Sequence, residues 1–339
     1  MRDRPPHGLI SSPRFKRDSS SSFVAKGTTL LTAEPFAYVL QSELQGQRCD
    51  YCFKKPPKLH RCSGCQYVYY CAATCQVKAW KDHKVECPCL RRCQPKVPPN
   101  FARLMARILV KLQTGGGEQE EGIINKIRRR KFRDLMSHYD DIKQDLRRME
   151  HFTSVCAVIE DFLPKEFTKR TNPYELLTIY GKICVNSFSI VDGEMTTTGT
   201  GIYLAPSILD HSCHPTALAV FDGTAIHIRT IQDIPDFDWS KVVISYIDPL
   251  QRTADRKREL QEQYYFECKC PSCLQGYRDL QMGSMKCPKC SDGCVPVAET
   301  SHLPCSSCNK EVEDEQLLEK FRSISEFSKE NLQKMRQTN

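Results

Sequence analysis

The spacing of hydrophobic residues changes along the chain, and each spacing predicts a different element. Residues 1–22 are polar and rich in Pro, Ser and Arg, which predicts a mobile start. Residues 23–25, 28–32 and 36–40 carry β-branched or aromatic side chains and indicate short strands. From Phe101 to Leu112, apolar residues recur at three- and four-residue steps, which predicts a helix with one apolar face.

The second half of the chain is predicted to combine short strands with a few helices. Residues 174–188 are typical of a helix, and short strands at 216–221, 225–230 and 242–247 follow, separated by Gly, Pro and Asp. Strands and long helices do not alternate in this region, so a parallel α/β sheet is disfavoured. Residues 252–264 then form a charged helix. The pattern favours a β-rich α+β fold.

Polar segments separate these elements. The prolines of residues 89–99 predict a linker, and residues 115–121 predict a flexible acidic loop. The basic run at 128–131 is interpreted as a solvated helix face, with nucleic-acid contact as the less favoured alternative. An amphipathic C-terminal helix is predicted from the apolar residues Leu317, Phe321, Ile324 and Leu332.

Composition narrows the class of protein. The 339 residues are 40% hydrophobic, which suffices for a sizeable core and one to three domains. No apolar run reaches the roughly 18 to 20 residues that a membrane span needs. Twenty cysteines follow a polar start rather than a secretory segment, which favours the cytoplasm and nucleus over the cell exterior. The net charge of +8 is only a weak indication of nucleic-acid partners.

The cysteines fall into groups with the spacing of metal ligands. The first group supplies eight ligands in four close pairs: Cys49 and Cys52, Cys62 and Cys65, Cys71 and Cys75, and His83 and Cys87. Two tetrahedral zinc sites need eight ligands, and such pairs place two ligands on adjacent corners of a tetrahedron. The spacing predicts two zinc ions but leaves open which pairs share one.

Two smaller groups follow near the C-terminus. Cys268, Cys270 and Cys273 offer three ligands, and His211, Cys213 and His214 are candidates for the fourth. The remaining pairs fit a small zinc ribbon on their spacing, with Cys294 between them as a competing ligand. These pairs are Cys287 with Cys290 and Cys305 with Cys308.

Several motifs occur together in the order of a known family. The first cysteine group, with Tyr70 before Cys71 and Trp80 before His83, resembles a MYND finger. Residues 184–188, 199–203, 210–213, 245–246 and 263–268 resemble successive SET-domain motifs, among them Asp-His-Ser-Cys where the SET family has Asn-His-Ser-Cys. The chain therefore resembles the SMYD family of SET and MYND domain-containing protein-lysine methyltransferases, in particular its SMYD3-like branch.

This resemblance implies a β-rich SET (β-clip) domain interrupted by inserted modules. The implied segments are the N-terminal SET part (11–48), the MYND zinc finger (49–87), a helical SET insert (95–190), the core SET domain (191–250), a post-SET zinc cluster (262–276), a zinc ribbon (284–311) and a C-terminal helix (312–339). In the MYND family the ligand pairs interleave, which implies one zinc on Cys49, Cys52, Cys71 and Cys75 and another on Cys62, Cys65, His83 and Cys87.

The resemblance also implies roles for individual residues. Tyr246 would be the catalytic tyrosine, Tyr264 would help to wall the lysine channel, and Cys213 would complete the post-SET zinc site. S-adenosylmethionine would be held by His138, Asn186, Asp210, His211, Tyr246 and Phe266. Taken without the family, Tyr246 could be a core aromatic residue, and His138 a surface residue of a helix.

The implied function is methylation of a lysine in a histone tail or a non-histone protein, with the finger binding partners such as proline-rich peptides. The chain departs from the family at Asp210, where Asn is usual, and at Ser20–Ser22, where a Gly-x-Gly turn is usual. A catalytically silent SET–MYND adaptor is therefore the alternative. A DNA-binding regulator is a third hypothesis that rests on basic charge alone.

Overall fold

The computed structural model describes residues 23–275, 277–290, 292–298 and 300–337. The predicted mobile start, the residues 11–22 of the N-terminal SET segment and Ser20–Ser22 lie outside this part of the chain. The described strands, in chain order, are β1 (Thr29–Ala33), β2 (Ala37–Leu40), β3 (His60–Arg61), β4 (Tyr69–Tyr70), β5 (Gly122–Ile123), β6 (Arg129–Arg130), β7 (Ser187–Val191), β8 (Thr197–Ile202), β9 (Asp210–His211), β10 (Ala217–Asp222), β11 (Ala225–Thr230), β12 (Val243–Ile244), β13 (Ser284–Lys286) and β14 (Cys294–Pro296).

Ten α-helices accompany these strands in the described residues. They are α1 (Ala73–Cys93), α2 (Asn100–Gln113), α3 (Tyr139–Gln144), α4 (Leu146–Phe162), α5 (Lys165–Thr168), α6 (Pro173–Asn186), α7 (Thr253–Tyr264), α8 (Pro271–Leu274), α9 (Tyr277–Met282) and α10 (Glu315–Gln337). The prediction of a mixed α+β architecture built from small sheets is confirmed. None of the helices in this part of the chain is long and apolar enough to cross a membrane.

Strands near the start of the chain pair with strands of its second half. β1 pairs antiparallel with β11, with Leu31 opposite Ile228, and β2 pairs antiparallel with β8, with Val39 opposite Thr200. Each pair belongs to a three-stranded sheet, in the orders β1-β11-β10 and β2-β8-β7. The cysteine-rich segment and the helices α1 to α6 are therefore insertions between strands that share the same sheets.

Glycine at position 199 allows one of these sheets to form. A Cβ at Gly199 would collide with the ring of Phe53 and the carbonyl oxygen of Val39 on the neighbouring strand. Phe53 belongs to the cysteine-rich segment and is buried. The bare backbone of β8 thus lets that segment pack directly against the sheet.

The main core lies between the inserted helices. The apolar face predicted for Phe101 to Leu112 is observed on α2, where Leu104, Met105, Ile108 and Leu109 are buried. The helix α6 begins where its sequence specifies, because Asn172 caps Glu175, the Glu175 side chain returns the hydrogen bond, and Pro173 occupies the first turn. The helix ends at Asn186 and β7 begins at Ser187, so the last two residues of the helix predicted at 174–188 belong to a strand instead.

Three local predictions differ from the structure. The predicted linker starts later than expected, because α1 continues through Pro88 to Cys93 and buries Cys89 and Leu90. The basic run is not a helix face: Arg129–Arg130 forms the strand β6, paired with β5. The strand predicted at 242–247 is short, since only Val243–Ile244 pairs, in parallel with β9.

The first strand prediction is also only partly right. β1 covers Thr29–Ala33, whereas Val24 forms only an isolated bridge with Ile234. That bridge still ties the segment before β1 to the sheet region, because Val24 and Ile234 exchange two backbone hydrogen bonds.

Candidate metal centres and active site

The four pairs of the first cysteine group form two clusters. Cys49, Cys52, Cys71 and Cys75 make one cluster and Cys62, Cys65, His83 and Cys87 the other, and within each cluster all ligand atoms lie within 4.8 Å of one another. Adjacent sulfur atoms are 3.7 Å apart for Cys52 and Cys71 and 3.8 Å apart for Cys62 and Cys87. Zinc–sulfur bonds of about 2.3 Å in a tetrahedron require a separation of about 3.8 Å. Both clusters fit a zinc ion, and the pairs interleave.

One thiol of the first cluster is already favoured in its metal-binding form. A hydrogen bond with the Cys52 side chain, assisted by backbone N–H groups, lowers the pKa of Cys49 to about 5, whereas the same contact raises the pKa of Cys52. The thiolate is the form that binds zinc, so Cys49 is the ligand that the fold prepares. At the second cluster, a Cβ on Gly64 would lie 2.8 Å from the Cys87 sulfur, so only glycine leaves that ligand its space.

The ligand His83 is oriented by a buried carboxylate that sequence reasoning missed. Its Nε2 lies 3.6 Å from the sulfurs of Cys62 and Cys65, while its Nδ1 lies 3.5 Å from Glu86 Oε2. Glu86 in turn accepts hydrogen bonds from Arg103 and Arg107 at 3.0 and 2.7 Å. Carboxylates of this kind fix the ring orientation of zinc-binding histidines. The spacing of Glu86 three residues after His83 on a helix was the available signal.

The third cluster settles the open question of a fourth ligand. Cys213 joins Cys268, Cys270 and Cys273, and its sulfur lies 3.5 Å from that of Cys273. His214 is exposed. His211 lies outside the cluster, with its Nε2 3.3 Å from the Cys213 sulfur.

A buried arginine lies against this cluster. Arg256 on α7 is fully buried, and its guanidinium donates to the Ser272 carbonyl at 3.2 Å and approaches the Cys273 sulfur at 3.8 Å. Four thiolates on one zinc ion leave two negative charges, and this guanidinium offsets part of them. Sequence reasoning treated α7 only as a charged helix.

The fourth cluster has the composition of the predicted ribbon. Its ligands are Cys287, Cys290, Cys305 and Cys308, with sulfur separations of 3.9 Å between Cys287 and Cys308 and 3.6 Å between Cys290 and Cys305. These separations fit a zinc ion. Cys294, the competing ligand, is exposed and is not part of the cluster.

An aromatic group lies beside the third cluster and contains four of the predicted site residues. Tyr246 and Tyr264 have ring centroids 5.0 Å apart, and the ring of His211 is 5.3 Å from Tyr246 and 5.8 Å from Phe266. The hydroxyl of Tyr246 donates to the carbonyl of Leu209. Burial raises the pKa of Tyr246, and it raises that of Tyr264 to about 12, so both hydroxyls remain protonated donors at neutral pH.

Asn186, at the end of α6, and His138, just before α3, lie on two adjoining segments. Asn186 is buried and donates to the carbonyls of Met136 and Lys182, both at 2.8 Å. His138 precedes α3 in a left-handed conformation, its ring 5.4 Å from that of Tyr265 and its Nδ1 2.9 Å from Asp141. Tyr265 lies between Tyr264 and Phe266 in the chain, so it connects this segment to the aromatic group.

The position of Asp210 is fixed by backbone pairing between two strands rather than by hydrogen bonds of its side chain. β9 pairs in parallel with β12, with Asp210 opposite Val243. Within the described residues its carboxylate accepts no hydrogen bond, and burial raises its pKa while the guanidinium of Arg130 opposes that rise. Arg130 donates to the carbonyl of Ser207 at 3.1 Å. It was not predicted as a site residue because the basic run was interpreted as a solvated surface.

Comparisons with known proteins agree with these features. Residues 49–87 match the family model of the MYND finger. The human histone-lysine N-methyltransferase SMYD3 is 34% identical over 259 residues, which cover 76% of this chain and 58% of that protein. The N-lysine methyltransferase SMYD2-A of Xenopus laevis is 31% identical over 256 residues, covering 75% of this chain and 57% of that protein.

A third relative extends the match further along this chain. The human N-lysine methyltransferase SMYD2 is 29% identical over 302 residues, covering 89% of this chain and 66% of that protein. The chain thus spans less than two thirds of the length of these relatives. The similarity over most of the chain, together with the finger and its zinc-ligand clusters, shows that the chain belongs to the SMYD family.

Proposed function

We propose that this chain is an S-adenosylmethionine-dependent protein-lysine N-methyltransferase. The observation that carries the proposal is the packing of Tyr246 against Tyr264, 5.0 Å between ring centroids, beside the cysteine cluster completed by Cys213. The printed names of the relatives, histone-lysine and N-lysine methyltransferases, support the same activity.

The cofactor would be held by residues around the aromatic group. Phe266 offers a half-buried ring on which an adenine can stack, and Asn186, His138, Asp210 and His211 line the adjoining segments. A buried Nε donor of Arg130, without a hydrogen-bond partner among the described residues, fits a polar ligand at this place. Bound S-adenosylmethionine would supply an electrophilic methyl group.

The protein's own residues would prepare the lysine. Tyr246 and Tyr264 are half-buried aromatic side chains, and a dry channel beside them would penalise the charged ammonium and so favour loss of its proton. The Tyr246 hydroxyl and the carbonyl of Leu209, which are joined by a hydrogen bond, would orient the lysine nitrogen. Orientation of the two reactants accounts for most of the rate in such a transfer.

The substrate and the binding partners are proposed as chemical classes. The substrate is a lysine of a histone tail or of a non-histone protein, and the MYND finger binds a protein partner such as a proline-rich peptide. DNA contact through basic residues of the finger is a further proposal that rests on charge. A cytoplasmic and nuclear location is proposed because all twenty cysteines are free thiols. Fifteen of them form the four clusters together with His83, and they can bind zinc only where they stay reduced.

A catalytically silent adaptor is the second candidate. The observation that favours it is Asp210, because an ionised carboxylate beside the carboxylate of the cofactor would weaken cofactor binding. In that case the zinc clusters would fold and the finger would bind partners without methyl transfer.

A transfer assay tests the enzyme proposal. Zinc-loaded protein is incubated with S-adenosylmethionine carrying a tritiated methyl group and with core histones or a cell extract. We expect label in protein, lost with Tyr246→Phe and retained with Tyr174→Phe, an exposed tyrosine. Equal labelling by the Tyr246→Phe variant would contradict the role of Tyr246, and no labelling by folded wild type would favour the adaptor.

A further inference from the structure

The guanidinium of Arg130 is held by the chain segment that leads into Asp210. Its two terminal nitrogens donate to the carbonyls of Ser207 at 3.1 Å and of Asp134 at 3.2 Å. Ser207 lies three residues before Asp210, in a short helical turn that spans Pro206–Ile208. Arg130 therefore helps to fix the position of the backbone next to Asp210.

The third nitrogen of this guanidinium is uncommitted. The Nε of Arg130 is buried and has no hydrogen-bond partner within the described part of the chain. A buried donor without a partner is unfavourable unless a ligand or a water molecule accepts its hydrogen bond. The groups that interact with Arg130 electrostatically are Asp134, Tyr246 and Asp210. Two of these are residues of the proposed site.

Without Arg130, no neighbouring positive group of the described residues would offset the negative charge of the Asp210 carboxylate. The Asp210 carboxylate accepts no hydrogen bond within the described residues, and Arg130 is the one charged group that lowers its pKa. A second carboxylate brought to the same place would meet repulsion from Asp210 and attraction from Arg130. A fixed guanidinium can bind a carboxylate while cancelling a neighbouring negative charge.

We infer that Arg130 is a binding residue of the proposed cofactor site, where its charge offsets Asp210 and receives the carboxylate of the cofactor's amino-acid end. This inference rests on the proposed function. It also explains how a chain with Asp at position 210 can bind a ligand that carries a carboxylate. The neighbouring Arg129 has no such position, because its side chain is nearly half exposed and pairs with Glu121 at 3.5 Å.

The test compares two thioether ligands by calorimetry. S-adenosylhomocysteine carries the amino-acid end, whereas 5′-methylthioadenosine replaces that end with a methyl group. We expect Arg130→Gln to weaken binding of S-adenosylhomocysteine about tenfold, the size of one charged hydrogen bond. Binding of 5′-methylthioadenosine should change less than about twofold, because that ligand has no carboxylate.

Three further variants separate charge from structure. Arg130→Lys keeps the charge and should bind S-adenosylhomocysteine with intermediate affinity. Combining Arg130→Gln with Asp210→Asn should recover most of the lost affinity, because the repulsive carboxylate is removed as well. Arg129→Gln, on the same strand, is the matched control and should leave both affinities unchanged.

The outcomes distinguish this inference from the proposed function. Unchanged binding of S-adenosylhomocysteine by Arg130→Gln would overturn the inference alone. Equal weakening of both ligands, accompanied by a lower melting temperature, would show that Arg130 only braces the fold and would also overturn it. If the folded, zinc-loaded wild type binds neither ligand, the proposed function fails and the inference falls with it.

Discussion

The imidazole of His211 connects the backbone of Tyr246 to the sulfur of Cys213. Its Nδ1 accepts a hydrogen bond from the Tyr246 N–H at 3.0 Å, and its Nε2 lies 3.3 Å from the Cys213 sulfur. Burial, assisted by the charge of Arg256, lowers the pKa of His211 to about 4, so the ring is neutral at neutral pH and Nδ1 is free to accept. A zinc-ligand cluster and the proposed catalytic tyrosine are thus joined through one side chain.

Replacing this histidine should disturb both sides of the connection. His211→Ala leaves the Tyr246 N–H without its partner, at a cost of about 1–3 kcal/mol if no water replaces it. We expect a lower melting temperature and at least a tenfold loss of methyl transfer, because Tyr246 loses its fixed position. Differential scanning calorimetry and the tritium assay measure the two effects.

The matched control is His214→Ala, since His214 is exposed and lies three residues away. It should leave both measurements near the wild-type values. If His211→Ala and His214→Ala give the same melting temperature and the same methyl transfer, the contacts of His211 with Tyr246 and Cys213 do not contribute to stability or activity.

Metal analysis should find four zinc ions per chain. Each of the four clusters offers four ligand atoms within 4.8 Å of one another. Cys213→Ser should release one ion and Cys294→Ser none, because Cys294 lies outside the clusters. Atomic emission on dialysed protein counts the ions, and a wild-type count of three or fewer would mean that at least one cluster does not hold zinc.

Glu86 should be important for stability because it pairs with the buried Arg103, with the mostly buried Arg107 and with the zinc ligand His83. Glu86→Gln removes the negative charge from the side of Arg103 and Arg107, and breaking a buried pair of this kind typically costs about 3–5 kcal/mol. Urea unfolding of zinc-loaded protein measures the change. The exposed Glu160→Gln serves as the control. A loss of less than about 1 kcal/mol would show that the arginines find other partners.

Arg256 is expected to stabilise the cluster of Cys213, Cys268, Cys270 and Cys273. Arg256→Met keeps the bulk of the side chain but removes the charge beside the Cys273 sulfur and the hydrogen bond to Ser272. Removing an outer partner of a metal site typically weakens the metal by about 10–100-fold. Competition with a chromogenic chelator should show one zinc ion released at lower chelator concentration. Arg258→Met, an exposed arginine on the same helix, should release zinc as the wild type does.

Much of the site was predictable because its signals are local. Pairs of cysteines with two or three residues between them predict zinc ligands, and the periodicity of Phe101 to Leu112 predicts α2. The two ligand pairs that share one zinc ion are distant in the sequence, so spacing alone did not show which pairs belong together. Only the family resemblance indicated the interleaved arrangement. The fourth ligand, Cys213, is 55 residues from Cys268, and spacing could not choose it over its two histidine neighbours.

Sequence reasoning missed Glu86, which lies three residues from His83, and it missed arginines that contact segments distant in the sequence. Arg130 reaches a carbonyl 77 residues away, and Arg103 reaches Glu86 on another helix. A basic run is usually a solvated surface, so the half-buried Arg130 could not be told from Arg129 by its type. The predicted linker at 89–99 began too early because its prolines suggested irregular structure from the start, whereas α1 continues through Pro88 to Cys93 and buries Cys89 and Leu90 in the core.

Calorimetric binding of S-adenosylmethionine to the zinc-loaded chain tests the central proposal most directly, because the residues proposed to hold the cofactor come from several distant segments. We expect saturable binding with one site per chain, lost when zinc is removed by a chelator. No detectable binding by a folded protein that carries its zinc would contradict the methyltransferase proposal and favour the adaptor.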